Sequence, residues 1–184
     1  MPLPARLQQF VATMTSLADA GEREPRIVDG CREAMKRLVA ADDWLPEEMA
    51  KPHPKYYQQY LLYRDPRDRF CVVSFVWGPG QKTPVHDHTV WGVIGMLRGG
   101  ETCARFRREG AGIVPEGGEV RLRPGDVDAV SPAIGDIHRV SNAFDDRVSI
   151  SIHSYGADIG KVRRHVFDLA TGEAKPFVSG YANA

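Results

Sequence analysis

His86 and His88 stand one residue apart in Pro84-Val85-His86-Asp87-His88-Thr89-Val90-Trp91. On a β-strand successive side chains point to opposite faces, so the two imidazoles share a face. Such a pair can grip one cation when a third ligand arrives from elsewhere. Iron, zinc, copper and nickel all accept imidazole, so the pair indicates a metal without selecting one. Two surface histidines on a polar loop would look the same locally. Asp87 points to the other face and is expected to make a surface or supporting hydrogen bond rather than to ligate. A second cluster follows in Ser151-Ile152-His153-Ser154-Tyr155. Ser151, His153 and Tyr155 share one strand face, and hydroxyl, imidazole and phenol so placed can form a hydrogen-bonded row that orients the Tyr155 hydroxyl. Taken alone, a polar outer strand face is the simpler reading of that row.

The elements that must carry these residues are mostly strands. Before them, Leu7, Phe10, Val11, Met14 and Leu17 recur at helical spacing, with Gly21 placed to end the helix. Pro25 opens a second periodic run through Ile27, Val28, Cys31, Met35, Leu38 and Val39, and Pro46 suggests a third, short helix. From Tyr56 onward β-branched and aromatic residues dominate. Tyr57–Tyr63 and Arg69–Trp77, joined by the turn residues Asp65-Pro66-Arg67-Asp68, read as a hairpin. Further strands are expected at Trp91–Leu97, Glu101–Arg107, Glu119–Leu122, Asp128–Val130, His138–Asn142, Val148–Tyr155 and His165–Leu169. Strand after strand with turn signals between them, and no βαβ alternation, means a sandwich or small barrel. The expected organisation is one domain over 1–184: a helical cap at 1–52, a β-barrel at 53–170 and a tail at 171–184 that trails over the surface.

Composition narrows the function. Lys plus Arg and Asp plus Glu both number 24, so net charge is zero, which gives no electrostatic case for nucleic acid or an anionic membrane. The N-terminus lacks the apolar run of a signal peptide, and no stretch approaches a membrane span. Cys31, Cys71 and Cys103 are odd in number and far apart, as reduced, buried thiols of a cytoplasmic protein would be.

Around the histidine pair the spacing is Gly80-x5-His86-x-His88-x3-Gly92-x6-Gly99, and later Pro132-x2-Gly135-x2-His138-x3-Asn142. These resemble the two signature motifs of the cupin superfamily, mainly-β proteins with a double-stranded β-helix (jelly-roll barrel) that holds a metal among inward-facing histidines. The second motif has one extra residue on either side of Ala133, and the first has Gly92 where cupins usually carry an acidic ligand. Three neutral imidazoles, from His86, His88 and His138, leave a divalent ion its full charge. Such a site favours an anionic donor such as a thiolate.

A three-histidine cupin without the acid, followed by Ser151-x-His153-x-Tyr155, resembles the cysteine dioxygenase type I family over roughly Tyr57 to Tyr155. The resemblance implies non-haem iron(II) on His86, His88 and His138. It also implies a Ser151–His153–Tyr155 row beside the places of substrate and oxygen. The mammalian members carry a substrate-carboxylate arginine in a Tyr-x-Arg-x-Leu pattern, where this chain reads Tyr57-Gln58-Gln59-Tyr60-Leu61. They also carry a cysteine, cross-linked to the active-site tyrosine, where Gly92 stands here. The chain therefore resembles the bacterial members with glutamine at that position, which are similar to 3-mercaptopropionate dioxygenases. That resemblance implies Gln59 and an arginine after the tyrosine, Arg164 or else Arg163, as the carboxylate partners. The implied partners are a small thiol and O2, with both oxygen atoms going to sulfur. The implied substrate is 3-mercaptopropionate, with L-cysteine a close second. Trp77 and Trp91 are candidates for the pocket wall or the core. Two other readings of the three histidines are a zinc hydrolase or lyase and a non-catalytic cupin with a structural metal. His53 and His165 lie outside the motifs.

Overall fold

The computed structural model describes residues 2–184. Two helices open the chain. Helix α1 (Ala5–Asp19) buries Leu7, Phe10 and Met14, and Gly21 follows it with φ +65°. Helix α2 (Glu24–Leu38) has Pro25 in its first turn, Glu24 at its positive end and Lys36 and Arg37 at its negative end. Its buried stripe, Val28, Cys31, Ala34, Met35 and Leu38, follows the three–four spacing of one helical face. The third expected helix is only a single 3-10 turn, Glu47–Met49. Pro52 follows closely and has no N–H with which to extend it.

The rest is β-structure. Strands β1 (Gln58–Arg64), β2 (Cys71–Trp77), β9 (Ser149–Tyr155), β3 (Gly92–Arg98) and β7 (Val127–Val130) lie side by side in that order as one antiparallel sheet. In the second sheet β4 (Glu101–Glu109) pairs with β5 (Gly112–Pro115), β6 (Val120–Leu122) and β8 (Ile137–Asn142). A two-stranded ribbon, β10 (Arg164–Phe167) with β11 (Ala174–Phe177), completes the set. This is the expected mainly-β architecture, two antiparallel sheets with the two helices packed against the outer face of the larger one. The β1–β2 hairpin turns where expected: the Asp65 carboxylate accepts hydrogen bonds from Arg67 N–H and from Arg69 N–H and Nε–H.

The large sheet is covered on both faces, which is why every residue of β2 and β9 is buried. Val72, Val76, Val93, Leu97, Ile150 and Ile152 face the helices in one core cluster with Leu7, Phe10, Met35 and Leu38. Gly95 permits this contact, since a Cβ there would come within 2.5 Å of Met35. Val73, Phe75, Trp77 and Tyr155 form a second cluster on the inner face, with Val140 from the small sheet. Asn142 knots the strand ends, donating to the carbonyls of Trp77, Gly78 and Arg147 and accepting from Ser149 Oγ and Phe144 N–H.

Other segments also differ from expectation. Residues 84–91 do not form a regular strand. Only His86 makes ladder pairs, with His138 on one side and Val166 on the other, and Thr89 at φ +61° turns the chain away. Pro84 at one end and Thr89 at the other leave room for no more. Strands β5 and β11 are additional to those expected. The tail does not simply trail: Ala182 N–H donates to the Gln59 carbonyl, and the Asn183 side chain bonds both N–H and C=O of Leu61. The tail thereby occupies the otherwise open edge of β1.

Candidate metal centre and its pocket

His138 comes from the inner face of β8, and His86 reaches it through a reciprocal pair of backbone bonds, each N–H donating to the other's carbonyl at 3.0 Å. His88 follows two residues later. The three ring centroids form a nearly equilateral triangle of 4.9, 4.8 and 4.7 Å, with rings inclined at 61–77°. One nitrogen from each ring lies within 4.8 Å of the others, so the three could hold a single ion. They are 7 %, 1 % and 3 % exposed, which excludes the reading of surface histidines.

Each imidazole has its Nδ1 turned away and partnered. His86 Nδ1 lies 3.0 Å from the Pro84 carbonyl, His88 Nδ1 lies 3.2 Å from the Asp136 carboxylate, and His138 Nδ1 lies 3.4 Å from the Cys103 sulfur. Partners of this kind fix ring orientation and leave Nε2 for a metal. The Asp136 carboxylate also accepts the N–H groups of His88 and Thr89, which holds the left-handed turn after the second histidine. Burial alone would raise its pKa, but these bonds, led by the one from the His88 side chain, keep it below the ordinary carboxylate range. Burial and the neighbouring His88 push His86 down to about 3, and burial holds His138 well below the ordinary imidazole value. All three donors fit a cation, since a neutral imidazole offers its lone pair.

Asp87 makes the supporting contact expected of it. Its carboxylate accepts the His165 N–H at 2.7 Å and lies 2.9 Å from His165 Nδ1, which ties the histidine segment to β10. His53 is exposed and caps the N–H groups of Lys55 and Tyr56. Neither His53 nor His165 joins the cluster.

Strand β9 brings Ser151, His153 and Tyr155 to the inner face, not to a polar outer one. Ser151 Oγ lies 2.8 Å from His153 Nε2, and His153 Nδ1 lies 2.8 Å from Tyr155 Oη. Phe75 stacks on His153 at 4.1 Å, and the Tyr155 ring stacks on His88 at 5.6 Å, so row and histidine cluster touch. Burial keeps His153 well below the ordinary imidazole value and pushes the Tyr155 phenol up. At neutral pH the row is therefore an imidazole and a protonated phenol. A Cβ at Gly92 would stand 2.8 Å from the Tyr155 ring edge, so the missing side chain makes room for that ring.

The row has members that the sequence reading did not include. Ser151 Oγ also bonds the carboxyl of Glu101, and Trp77 Nε1–H donates to the same oxygen at 3.2 Å. Trp77 thus sits beside the site. Trp91 packs with the helices in the outer core.

A cavity of about 190 Å³ opens beside the histidines, lined by Tyr57, Gln59, Phe75, His86, Tyr155 and Arg164 among others. It is smaller than the ~300 Å³ at which drug-sized pockets begin, so it suits a molecule of few atoms. Arg164 is 3 % exposed, whereas Arg163 lies on the surface. Its guanidinium stands 4.7 Å over the Phe177 ring, and its Nη2 donates to Ser179 Oγ at 2.7 Å, both partners coming from the tail. Arg164 Nε and Gln59 Oε1 are buried without hydrogen-bond partners. A signal for Glu101 and Cys103 was available, since both share the inward phase of one expected strand. Asp136 stands two residues before His138 and Ser179 lies in the tail, and neither position carried a pattern.

A family profile described as cysteine dioxygenase type I matches residues 40–168. Among solved structures, a conserved protein with a double-stranded beta-helix domain from Klebsiella pneumoniae is 17 % identical with a TM-score of 0.49, covering 64 % of this chain and 90 % of its own. A cupin superfamily protein from Desulfitobacterium hafniense is 14 % identical with a TM-score of 0.48, covering 64 % and 93 %.

Proposed function

The chain belongs to the cysteine dioxygenase type I family, and from that premise we propose that it is a non-haem iron(II) thiol dioxygenase. It adds both atoms of O2 to the sulfur of a small thiol carboxylate, giving a sulfinic acid, with 3-mercaptopropionate preferred to L-cysteine. The observation that carries this reading is the pairing of three buried histidines with a small cavity also lined by Gln59 and Arg164, whose Oε1 and Nε are buried without partners.

His86, His88 and His138 hold the iron. Bound there, iron(II) would supply the redox chemistry that joins thiol and O2. Arg164, its plane fixed by Phe177 and Ser179, pairs with the substrate carboxylate through its unpartnered Nε–H. Gln59, its amide turned if necessary, adds an N–H at the same end. These contacts set the sulfur at the histidine end and hold it in a reactive orientation. Tyr155, kept protonated by burial, donates its hydroxyl toward the oxygen or thiolate. Phe75, Tyr57 and Phe177 exclude water around it. The thiolate supplies the four electrons that reduce O2, so no external reductant is required.

Gln59 stands where the mammalian members carry arginine, which weakens the charge at the carboxylate end and with it the case for L-cysteine. That is the basis for ranking 3-mercaptopropionate first. Oxygen uptake by the iron-loaded protein with 3-mercaptopropionate, L-cysteine and cysteamine tests the reading. Expected is the highest kcat/KM for 3-mercaptopropionate, less for L-cysteine, and near background for cysteamine, which lacks a carboxylate. No thiol-dependent uptake with any of the three, or hydrolytic activity of a zinc-loaded form, contradicts it.

A further inference from the structure

Glu101 opens β4 on its inward phase and is 1 % exposed, the only buried glutamate among the described residues. We propose that Glu101 is the proton store of a four-residue wire, Glu101–Ser151–His153–Tyr155, whose other end faces the substrate. The proposal rests on the thiol dioxygenase reading for what meets the Tyr155 hydroxyl.

The geometry allows two arrangements of hydrogens. Ser151 Oγ has one proton and two neighbours that can take it, the Glu101 carboxylate and His153 Nε2. With Glu101 ionised, Ser151 donates to Glu101, His153 Nε2–H donates to Ser151, and Tyr155 donates to His153 Nδ1. The Tyr155 oxygen then offers only lone pairs to the cavity. With Glu101 protonated, every bond reverses: Glu101 donates to Ser151, Ser151 to His153 Nε2, and His153 Nδ1–H to Tyr155. The Tyr155 O–H then points into the cavity. Trp77 Nε1–H donates to Ser151 in both arrangements and holds that oxygen in line.

The reaction needs such a store. A free thiol is mostly protonated at neutral pH, it must react as thiolate, and the sulfinate product leaves ionised. One proton per turnover therefore has to leave the sulfur. It passes to the Tyr155 oxygen, the Tyr155 proton to His153 Nδ1, the His153 Nε2 proton to Ser151, and the Ser151 proton to Glu101. The S–H bond breaks, a carboxyl O–H bond forms, and no electrons move. The same transfer turns the Tyr155 O–H toward the cavity, where the thiolate and O2 now need a donor. The proton returns by the same path when product leaves and water enters.

The surroundings fit this role. Glu101 faces Cys103 from its own strand, Leu122 and Asn142 across the ladder, Trp77 from β2, and Ser151, His153 and Tyr155 from β9. None of these is charged at neutral pH, and no Lys or Arg is bonded to the carboxyl. Burial pushes Glu101 up to about 7, against the bond from Ser151 and the nearby Trp77 N–H, which favour its charged form. A carboxyl so poised can take up and release a proton near neutrality.

Infrared difference spectroscopy of the metal-free protein with isotope-labelled glutamate tests the proposal whatever the chain catalyses. Expected is a protonated glutamate carbonyl band near pH 5.5 that disappears by about pH 9 and is missing from Glu101→Gln. In the iron-loaded enzyme Glu101→Gln should lower kcat about tenfold, leave KM within about twofold and remove the limb of the pH profile near neutrality, while Glu101→Asp restores that limb. A wild-type spectrum with no titrating glutamate band overturns the proposal, as does a Glu101→Gln enzyme with the wild-type pH profile. If Glu101→Gln does not fold, the wild-type band alone decides. Failure of the wild-type enzyme to oxygenate any thiol would defeat the proposed function and leave the infrared result standing.

Discussion

The two ends of the cavity are built on opposite terms. At the histidine end every group has a partner: each Nδ1 of the three histidines is engaged, and the row from Tyr155 through His153 and Ser151 closes on Glu101 and Trp77. Its strands, β8 and β9, are bound into their sheets, and β9 is buried along its whole length. The other end hangs on the edge strand β1, the two-stranded β10–β11 ribbon and the tail. There Gln59 Oε1 and Arg164 Nε are buried and unpartnered, an arrangement that costs about 1–3 kcal/mol per group until something pairs with them. A satisfied network is set before a ligand arrives and holds the chemistry in place. An unsatisfied one gains most when the right ligand completes it, so it is where selection among thiols resides.

Breaking the satisfied end should have the largest effect. In His138→Ala the third donor is gone, and metal content measured on the purified protein should fall to background with activity lost. Full iron occupancy in that variant would put the third ligand elsewhere. Tyr155→Phe keeps every ligand and its packing against Gly92, so iron should remain while kcat falls about a hundredfold. Unchanged turnover would remove the phenol from the chemistry. Arg164→Met at the unsatisfied end should act on binding instead. It should raise KM for 3-mercaptopropionate by roughly ten- to a hundredfold, with the small activity toward cysteamine unchanged. An equal loss with both thiols would mean that Arg164 supports the fold and does not select.

The last effect is one of pH on the metal-free protein. His86 is pushed down to about 3 by burial and by His88, and burial keeps His138 and His153 well below the usual imidazole value. Below about pH 6.5 the unfolded chain takes up protons at these residues and the fold does not. Their contribution is therefore complete above that pH and lost as pH falls toward about 3, at roughly 1.4 kcal/mol per histidine per unit. Urea unfolding of metal-free protein at a series of pH values reads this slope, and a flat profile would contradict neutral buried histidines.

Much of this was legible in the chain. The His86-x-His88 spacing, the later His138 and the Ser151, His153, Tyr155 alternation mark which side chains meet, because period two survives even where the His86 segment is not a regular strand. The β1–β2 hairpin and most strand positions followed from turn residues and β-branched runs. What stayed hidden depends on pairings distant in sequence. Glu101 reaches Ser151 only because β4 starts where the two sheets come together, and Ser179 reaches Arg164 only because the tail folds back along β1. The choice of Arg164 over Arg163 as the cavity-facing residue is likewise a matter of which side of β10 turns inward.

The account stands on both atoms of O2 ending on one sulfur. Iron-loaded protein supplied with 3-mercaptopropionate and isotopically heavy O2 should give a sulfinate carrying two heavy oxygen atoms, with one O2 consumed per thiol, read by mass spectrometry. A product with one heavy atom, or a disulfide with none, would contradict it.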